Sequence, residues 1–175
     1  MTKRNIETRK IDDNYWETTK KAYVAWVELN KALKEIDARK ANFPSGISES
    51  VVGHVYGFDT ITKGSGDLYD SENDRIIEVK GSANYNKDLT SFSPSEFYDD
   101  LFFVRYNQDN KTFEIYDLKR SRDAIDEILV NKTETYKEHR EQGRRPRFSI
   151  IEQIIGKEDL KPDKIFSIDT GSVDL

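Results

Sequence analysis

The strongest periodic signal lies near the N-terminus. Trp16, Ala22, Tyr23, Trp26, Leu29, Leu33 and Ile36 recur at three- and four-residue steps, with Lys and Glu on the other side. That spacing predicts an amphipathic helix from about Asp13 to Lys40, with Asp12 or Asp13 as its N-cap. Its two tryptophans anchor it to the core or to a second subunit, the core being the commoner use. Residues 1–11 are polar and basic and read as a mobile arm or loose lead-in. Asn42-Phe-Pro-Ser-Gly46 breaks the helix, and Ser48 is placed to cap a second, short one from Glu49 to about Tyr56. Glu49, Val52, Gly53 and Tyr56 share a face of it, while His54 projects elsewhere as a surface or packing histidine.

The pattern then changes to a period of two. Asp67-Leu-Tyr-Asp70 and Arg75-Ile-Ile-Glu-Val-Lys80 read as the arms of a β-hairpin around the turn Ser71–Asp74. With that turn, Asp70 faces Arg75, Leu68 faces Ile77 and Asp67 faces Glu78. Glu78 and Lys80 share one face of the strand, Ile77 and Val79 the other. A long polar stretch, Gly81 to Pro94, follows; loops of such length in a compact domain are often functional. Ser95–Asp100 reads as a short helix. Leu101–Tyr106 and Phe113–Leu118 form a second hairpin around Asn107–Thr112, and the unbroken apolar run Leu101–Val104 predicts a strand buried on both faces. Ser121–Val130 is amphipathic at helical spacing, residues 131–143 are polar with no clear period, Ser149–Ile155 reads as a short helix and Ile165–Ile168 as a last strand.

Composition narrows the class. With 175 residues the chain is expected to be one domain spanning 1–175; 35% apolar and 35% charged residues predict a heavily charged surface. There is no cysteine, which excludes disulfides and thiolate metal sites and suits a reducing cytoplasm. Two histidines, His54 and His139, are too few for a histidine-based metal centre. No apolar run is long enough to cross a membrane, and no secretory segment follows the basic N-terminus. The net charge of −5 does not advertise nucleic-acid binding, so any such function must use a local patch.

The hairpin register gathers Asp67, Glu78 and Lys80 at its open end, beside Lys63-Gly-Ser-Gly66. Like charges opposite one another on neighbouring strands destabilise the pair, and a divalent cation would offset that. Two hard carboxylates, with the Val79 carbonyl as a further oxygen and positions left for water and phosphate, suit Mg²⁺. Lys80 is placed to reach the same phosphate or an attacking water. The chemistry this predicts is phosphodiester hydrolysis. The competing reading is an ordinary charged hairpin whose polar side chains form a solvated face.

An aspartate after a Gly-rich loop, Glu-x-Lys at the end of a strand and an acid on the preceding helix together resemble the PD-(D/E)xK nuclease superfamily, which includes most type II restriction endonucleases. Asp67 matches the motif's aspartate, Glu78 its second acid and Lys80 its lysine; Glu49 resembles the helix acid of many members. Gly66 stands where the motif's name has proline. From Pro44 to Tyr116 the order of helix, hairpin, polar loop and paired strands is similar to small orthodox restriction enzymes. The resemblance implies an α/β (α+β) fold with a mixed central β-sheet flanked by helices, Mg²⁺ dependence and a homodimer cutting both strands of double-stranded DNA at a palindrome. It also implies a bacterial or archaeal cytoplasm and a cognate DNA methyltransferase as functional partner. The first helix is the candidate dimer contact.

DNA contact must then be local. Arg140 to Phe148 carries four cations against one anion, and Arg144, Arg145 and Arg147 are the candidate base-readers or phosphate contacts, since guanidinium forks match guanine O6 and N7. Ser82, Asn84, Lys87 and Ser91 in the polar loop are candidate phosphate contacts. Two other readings stay open: a structure-specific resolvase or repair nuclease of the same superfamily, and a DNA-binding protein without catalysis.

Overall fold

Leu101-Phe-Phe-Val104 is buried along its whole length, and the sheet extends outward from it. The computed structural model of the protein describes residues 5–175. Strand β6 (Asp100–Asn107) pairs in parallel with β4 (Arg75–Ser82) on one side and antiparallel with β7 (Thr112–Asp117) on the other. Beyond β4 lie β3 (Leu68–Asp70), β2 (Asp59–Lys63) and β1 (Glu7–Arg9); beyond β7 lie β9 (Lys164–Ser167) and β10 (Val173–Asp174). Among the described residues the result is a mixed sheet of eight strands in which β4 and β6 are the one parallel pair. This is the expected α+β architecture.

Alternation along the central strands feeds a core on each face. Ile77, Val79, Phe102, Val104 and Tyr106 pack beneath helices α1 (Asp13–Glu35) and α2 (Ser45–Tyr56). Ile76, Leu101 and Phe103 meet a second layer that includes a 3₁₀ turn (Arg122–Ile125), helix α3 (Tyr136–Glu141) and a π-helical segment (Ile151–Gly156). Each fully buried side chain of this size contributes about 1.5–3 kcal/mol. The second hairpin and the strand expected at Ile165–Ile168 form as the sequence indicates, but that strand is not the last, since the short β10 pairs with it. The register of β3 with β4 is also as expected, Leu68 opposite Ile77 and Asp70 opposite Arg75.

Helix α1 departs from expectation in length and in face. Asp12 caps it by accepting the Tyr15 N–H at 2.8 Å, but it ends at Glu35, where the backbone turns through Asp37 at φ 55°. Its buried face is Thr19, Tyr23 and Trp26, whereas Leu29 and Ile36 are exposed. Trp26 donates to the Asn42 carbonyl and Tyr23 shares a hydrogen bond with Tyr106, so Trp26 serves the core. Trp16 stacks on His54 at 3.9 Å, which makes that histidine a packing residue. Helix α2 begins at Ser45 after Pro44, so Ser48 is not its cap but a buried residue one turn inside.

Other differences come from hydrogen bonds made across the fold. The lead-in is not all loose: the first four residues lie outside the described residues, but Glu7–Arg9 pair with β2. Strand β2 has no sequence signal of its own, being short and only partly buried. Ser95–Asp100 is not helical; the Asp99 N–H donates to the Ile76 carbonyl and the Asp99 carboxylate accepts the Ile76 N–H, which holds it extended beside β4. The amphipathic stretch Ser121–Val130 winds for only one 3₁₀ turn, because the carbonyls of Asp126 and Ile128 accept from Lys137 and Tyr136 of α3 rather than from their own helix. Helix α3 itself carries a complete capping box, Thr135 with Glu138. Among the described residues no helix is long and apolar enough to cross a membrane.

The contact of α2 with β4 fixes the site described below. A Cβ on Gly81 would stand 2.4 Å from Ser48 Oγ and 3.1 Å from Ser48 Cβ. Gly81→Ala is therefore expected to push α2 off the sheet and to cost about 1–3 kcal/mol in denaturant unfolding. Unchanged stability would show that the two elements have room to spare.

Candidate active site

Strand β4 outruns its neighbour. The β3–β4 pairing extends only to Leu68–Ile77, and Asp67 closes the ladder by donating its N–H to the Ile77 carbonyl at 2.9 Å. Its side chain then takes the place of the missing strand: Asp67 Oδ2 accepts the Val79 N–H at 2.8 Å. The N–H and C=O of one strand residue point to the same edge, so the Val79 carbonyl faces the same gap as the Asp67 carboxylate. The chain leaves in the other direction because Lys63-Gly-Ser-Gly66 is the turn between β2 and β3. Gly66 has φ +80°, and a Cβ there would meet Ile76 Cγ2 at 2.3 Å. Proline, fixed near −65°, does not fit this backbone, which accounts for glycine at that motif position.

Three further carboxylates surround this gap. Glu78, on the β4 face next to the second core, is 1% exposed; Oε1 pairs with Lys80 Nζ, while Oε2 is buried without a hydrogen-bond partner. Glu49 comes from the second turn of α2. Glu96 completes the set, held in place by Ser65, whose hydroxyl accepts the Phe97 N–H at 2.6 Å and donates to the Phe97 carbonyl at 2.7 Å. Sequence reasoning missed Glu96, which comes near Asp67 through contacts made across the fold, chiefly that of Ser65 with Phe97. All these side chains line one cleft of about 1170 Å³.

The electrostatics follow from crowding. Burial, then the charge of Glu49, pushes Asp67 up to about 7. Burial, then Asp67, pushes Glu78 up to about 8, with Lys80 acting against both. Glu49 is raised by burial, a hydrogen bond from Ser45 opposing it. Burial works to lower the Lys80 pKa, but Glu78 and then Asp67 outweigh it and raise it above the usual lysine value. One ammonium thus serves four carboxylates, and the cluster is short of positive charge.

Among the described residues no three acidic or histidine side chains stand together as a ready metal cage. The donor set nevertheless fits a hard cation. It offers carboxylate oxygens, a carbonyl facing the same gap and one buried Glu78 oxygen with no other partner.

The candidate DNA contacts divide. Ser82, Asn84 and Ser91 line the cleft, as do Arg39 and Lys40 just after α1, which the sequence reading passed over as the end of that helix. The Ser82 hydroxyl is committed to its own loop, donating to the carbonyls of Asn84 and Lys87. Lys87, Arg144, Arg145 and Arg147 lie outside the cleft lining. Arg144 is paired with Glu134, whereas Arg145 and Arg147 are exposed with no ion pair among the described residues. Arg147 reaches the polar loop through a two-stranded sheet, β5 (Thr90–Ser91) with β8 (Arg147–Phe148), where Ser91 faces Arg147.

A mixed sheet that carries aspartate, Glu-x-Lys and a helix acid at the end of its central strands is the architecture of the type II restriction endonucleases of PD-(D/E)xK type. The chain belongs to the Bsp6I restriction endonuclease family, whose model matches residues 11–157. It is similar to the type II restriction enzyme Bsp6I of Bacillus sp. (strain RFL6), with 42% identity over 153 residues, 87% of this chain and 88% of that protein. No solved structure shows a significant match. The family read from the motif residues is thereby borne out.

Raised carboxylate pKa values have a definite sign in stability. A folded-state pKa above the unfolded value means that folding is favoured below pH ~4 and progressively penalised up to pH 7–8. Without divalent cation, the melting temperature should fall as pH rises from 5 to 8, and Glu78→Gln should flatten that slope. A slope identical in Glu78→Gln would disprove the charge crowding. Gly66→Pro, which restores the motif's spelling, should lower stability by about 1–3 kcal/mol, measured by the same melts.

Proposed function

We propose that this protein is a type II restriction endonuclease that hydrolyses phosphodiester bonds in both strands of double-stranded DNA at a short palindromic site, with Mg²⁺ as cofactor and as a homodimer. Family membership supports the class. The observation that carries the chemistry is the buried meeting of Asp67 and Glu78 beside Lys80, at a strand edge left open to the cleft. Asp67, Glu78 and the Val79 carbonyl are the groups that would hold Mg²⁺, and Glu49 adds charge from α2. When bound, Mg²⁺ offsets the charge on the phosphate and lowers the pKa of a water.

The protein's own groups have separable tasks. Asp67 is oriented by the Val79 N–H and needs no rearrangement to face the cleft. Lys80 keeps its proton and contributes an ammonium to the phosphate or to the attacking water. As water adds to phosphorus and gives up a proton, the bond to the leaving sugar oxygen breaks and that oxygen takes up a proton, leaving a phosphate monoester and a free hydroxyl. Arg145 and Arg147 supply the local positive charge that a protein of net charge −5 needs on DNA. Asn84, Lys87 and Ser91 add polar contacts from the loop, whereas Arg144 must first exchange Glu134 for DNA. The setting is the cytoplasm of a bacterium or archaeon, where a DNA methyltransferase of matching specificity would protect the host. A single nuclease domain over residues 1–175 suffices for each half of the site, and the exposed side of α1 is the candidate contact between halves.

Long DNA of known sequence, incubated with Mg²⁺, should yield discrete bands that a chelator prevents. Asp67→Ala should abolish them, and Lys80→Ala should slow cleavage by about 10²–10⁴-fold while DNA binding persists. A smear, junction-only cutting or full activity in Asp67→Ala would overturn the assignment. Arg145→Ala should weaken DNA binding and reduce the slope of log K against log salt by about one phosphate contact; an unaltered slope would remove Arg145 from the interface.

A further inference from the structure

The polar loop beyond Lys80 has no regular structure for most of its length, yet it is fastened repeatedly. The Gln108 amide donates to the Ala83 carbonyl at 2.7 Å. The Arg105 guanidinium donates twice to the Tyr85 carbonyl, at 3.0 and 2.6 Å, and lies over the Tyr85 ring. The tightest fastening is Asp88. Its Oδ1 accepts the Ser149 hydroxyl at 2.6 Å and the Ile151 N–H at 3.0 Å; its Oδ2 accepts the Thr90 hydroxyl at 2.6 Å and the Ile150 N–H at 2.9 Å. One carboxylate therefore ties the loop to a segment some sixty residues further along, immediately after Arg147. The β5–β8 pair continues the join, with the Phe92 N–H donating to the Pro146 carbonyl and the rings of Phe92 and Phe148 stacked 5.2 Å apart. Lys80 Nζ lies 5.3 Å from the centroid of the same Phe92 ring.

Between the anchors Asp88 and Thr90 stands Leu89. It lines the cleft and is 70% exposed, a large apolar side chain presented to water by a backbone fixed on both sides. Sequence-reading surfaces in nucleic-acid clefts combine guanidinium forks with apolar contacts to bases. An exposed leucine on a fixed backbone, in a loop whose Ser91 pairs with the exposed Arg147, has that composition.

We propose that Asp88–Ser91 and Arg145–Ser149 form one preassembled platform for reading base pairs, with Asp88 its positioning residue and Leu89 its apolar contact with the bases. The proposal rests on the nuclease reading above. It makes the loop and the arginine run, far apart in sequence, a single rigid body attached to the strand that carries Lys80. Discrimination then depends on a carboxylate that touches neither DNA nor metal. Asparagine cannot replace it, since an amide would turn a donor toward groups that already donate.

The test uses the full chain, long DNA of known sequence and Mg²⁺, with three readouts: KM, turnover at saturating DNA, and cut sites mapped by sequencing fragment ends. Leu89→Ala, at an exposed position, should melt as wild type, raise KM by about 5- to 50-fold and add cuts at sites differing by one base pair, with saturated turnover within about threefold. Asp88→Asn should move KM and cut sites the same way. Leu129→Ala, an exposed leucine outside the cleft, should alter neither. If Leu89→Ala leaves KM and cut sites as in wild type, or if Asp88→Asn lowers only the melting temperature, the platform is refuted. If the wild type makes no metal-dependent discrete cuts, the nuclease reading itself fails, a result distinct from either.

Discussion

The site depends on a strand edge that has lost its neighbour. Backbone N–H and C=O groups must be paired when buried, and β4 runs past Ile77 with β3 no longer beside it. The Asp67 carboxylate supplies the missing acceptor for Val79. In doing so it is driven into a space already bounded by Glu78 on the strand and Glu49 on α2. The repulsion that results is a by-product of completing the sheet, and it leaves a concentrated negative charge facing a cleft. The parallel pairing of β4 with β6 matters equally. Parallel neighbours need a long crossover, and that crossover is the segment that carries Glu96, Leu89 and Asp88.

Much of the frame was legible because it rests on local alternation. The hairpin register around Ser71–Asp74 placed Asp67 near Glu78, and the apolar run Leu101–Val104 identified the central strand. What stayed hidden depends on partners remote in sequence. Strand β2 is short and mostly half-buried, with no apolar face to betray it. The amphipathic run Ser121–Val130 has the spacing of a helix, but α3 takes up the carbonyls that such a helix would need. The capping box of Thr135 and Glu138 was a readable signal for α3 that polarity obscured. Glu96 carried no signal, since it lay in a segment that reads as a short helix, and its approach to Asp67 depends on the contact of Ser65 with Phe97. For α1, spacing gave the helix but misassigned its lower half, because the turn at Asp37 frees Ile36 from the core.

Charge is distributed to match this division of labour. The floor of the cleft is acidic and buried, so its field acts locally within the cleft. The basic groups, Arg39 and Lys40 on the lining and Arg145 and Arg147 beyond it, are exposed and subject to screening by salt. Exposed lysines are scattered over the rest of the surface as well, so it is the absence of an acidic ion-pair partner at Arg145 and Arg147, among the described residues, that sets this region apart.

Gly66 carries a lesson about signatures. The aspartate at position 67 reaches Val79 because the residue before it bends the chain at φ +80°, a geometry that proline cannot adopt. The first letter of the motif therefore describes one way of aiming a carboxylate, not a part of the chemistry. A search spelled with that proline would pass over this chain. One spelled as a hairpin register, an acid one step beyond the last paired residue and Glu-x-Lys across from it, would find it.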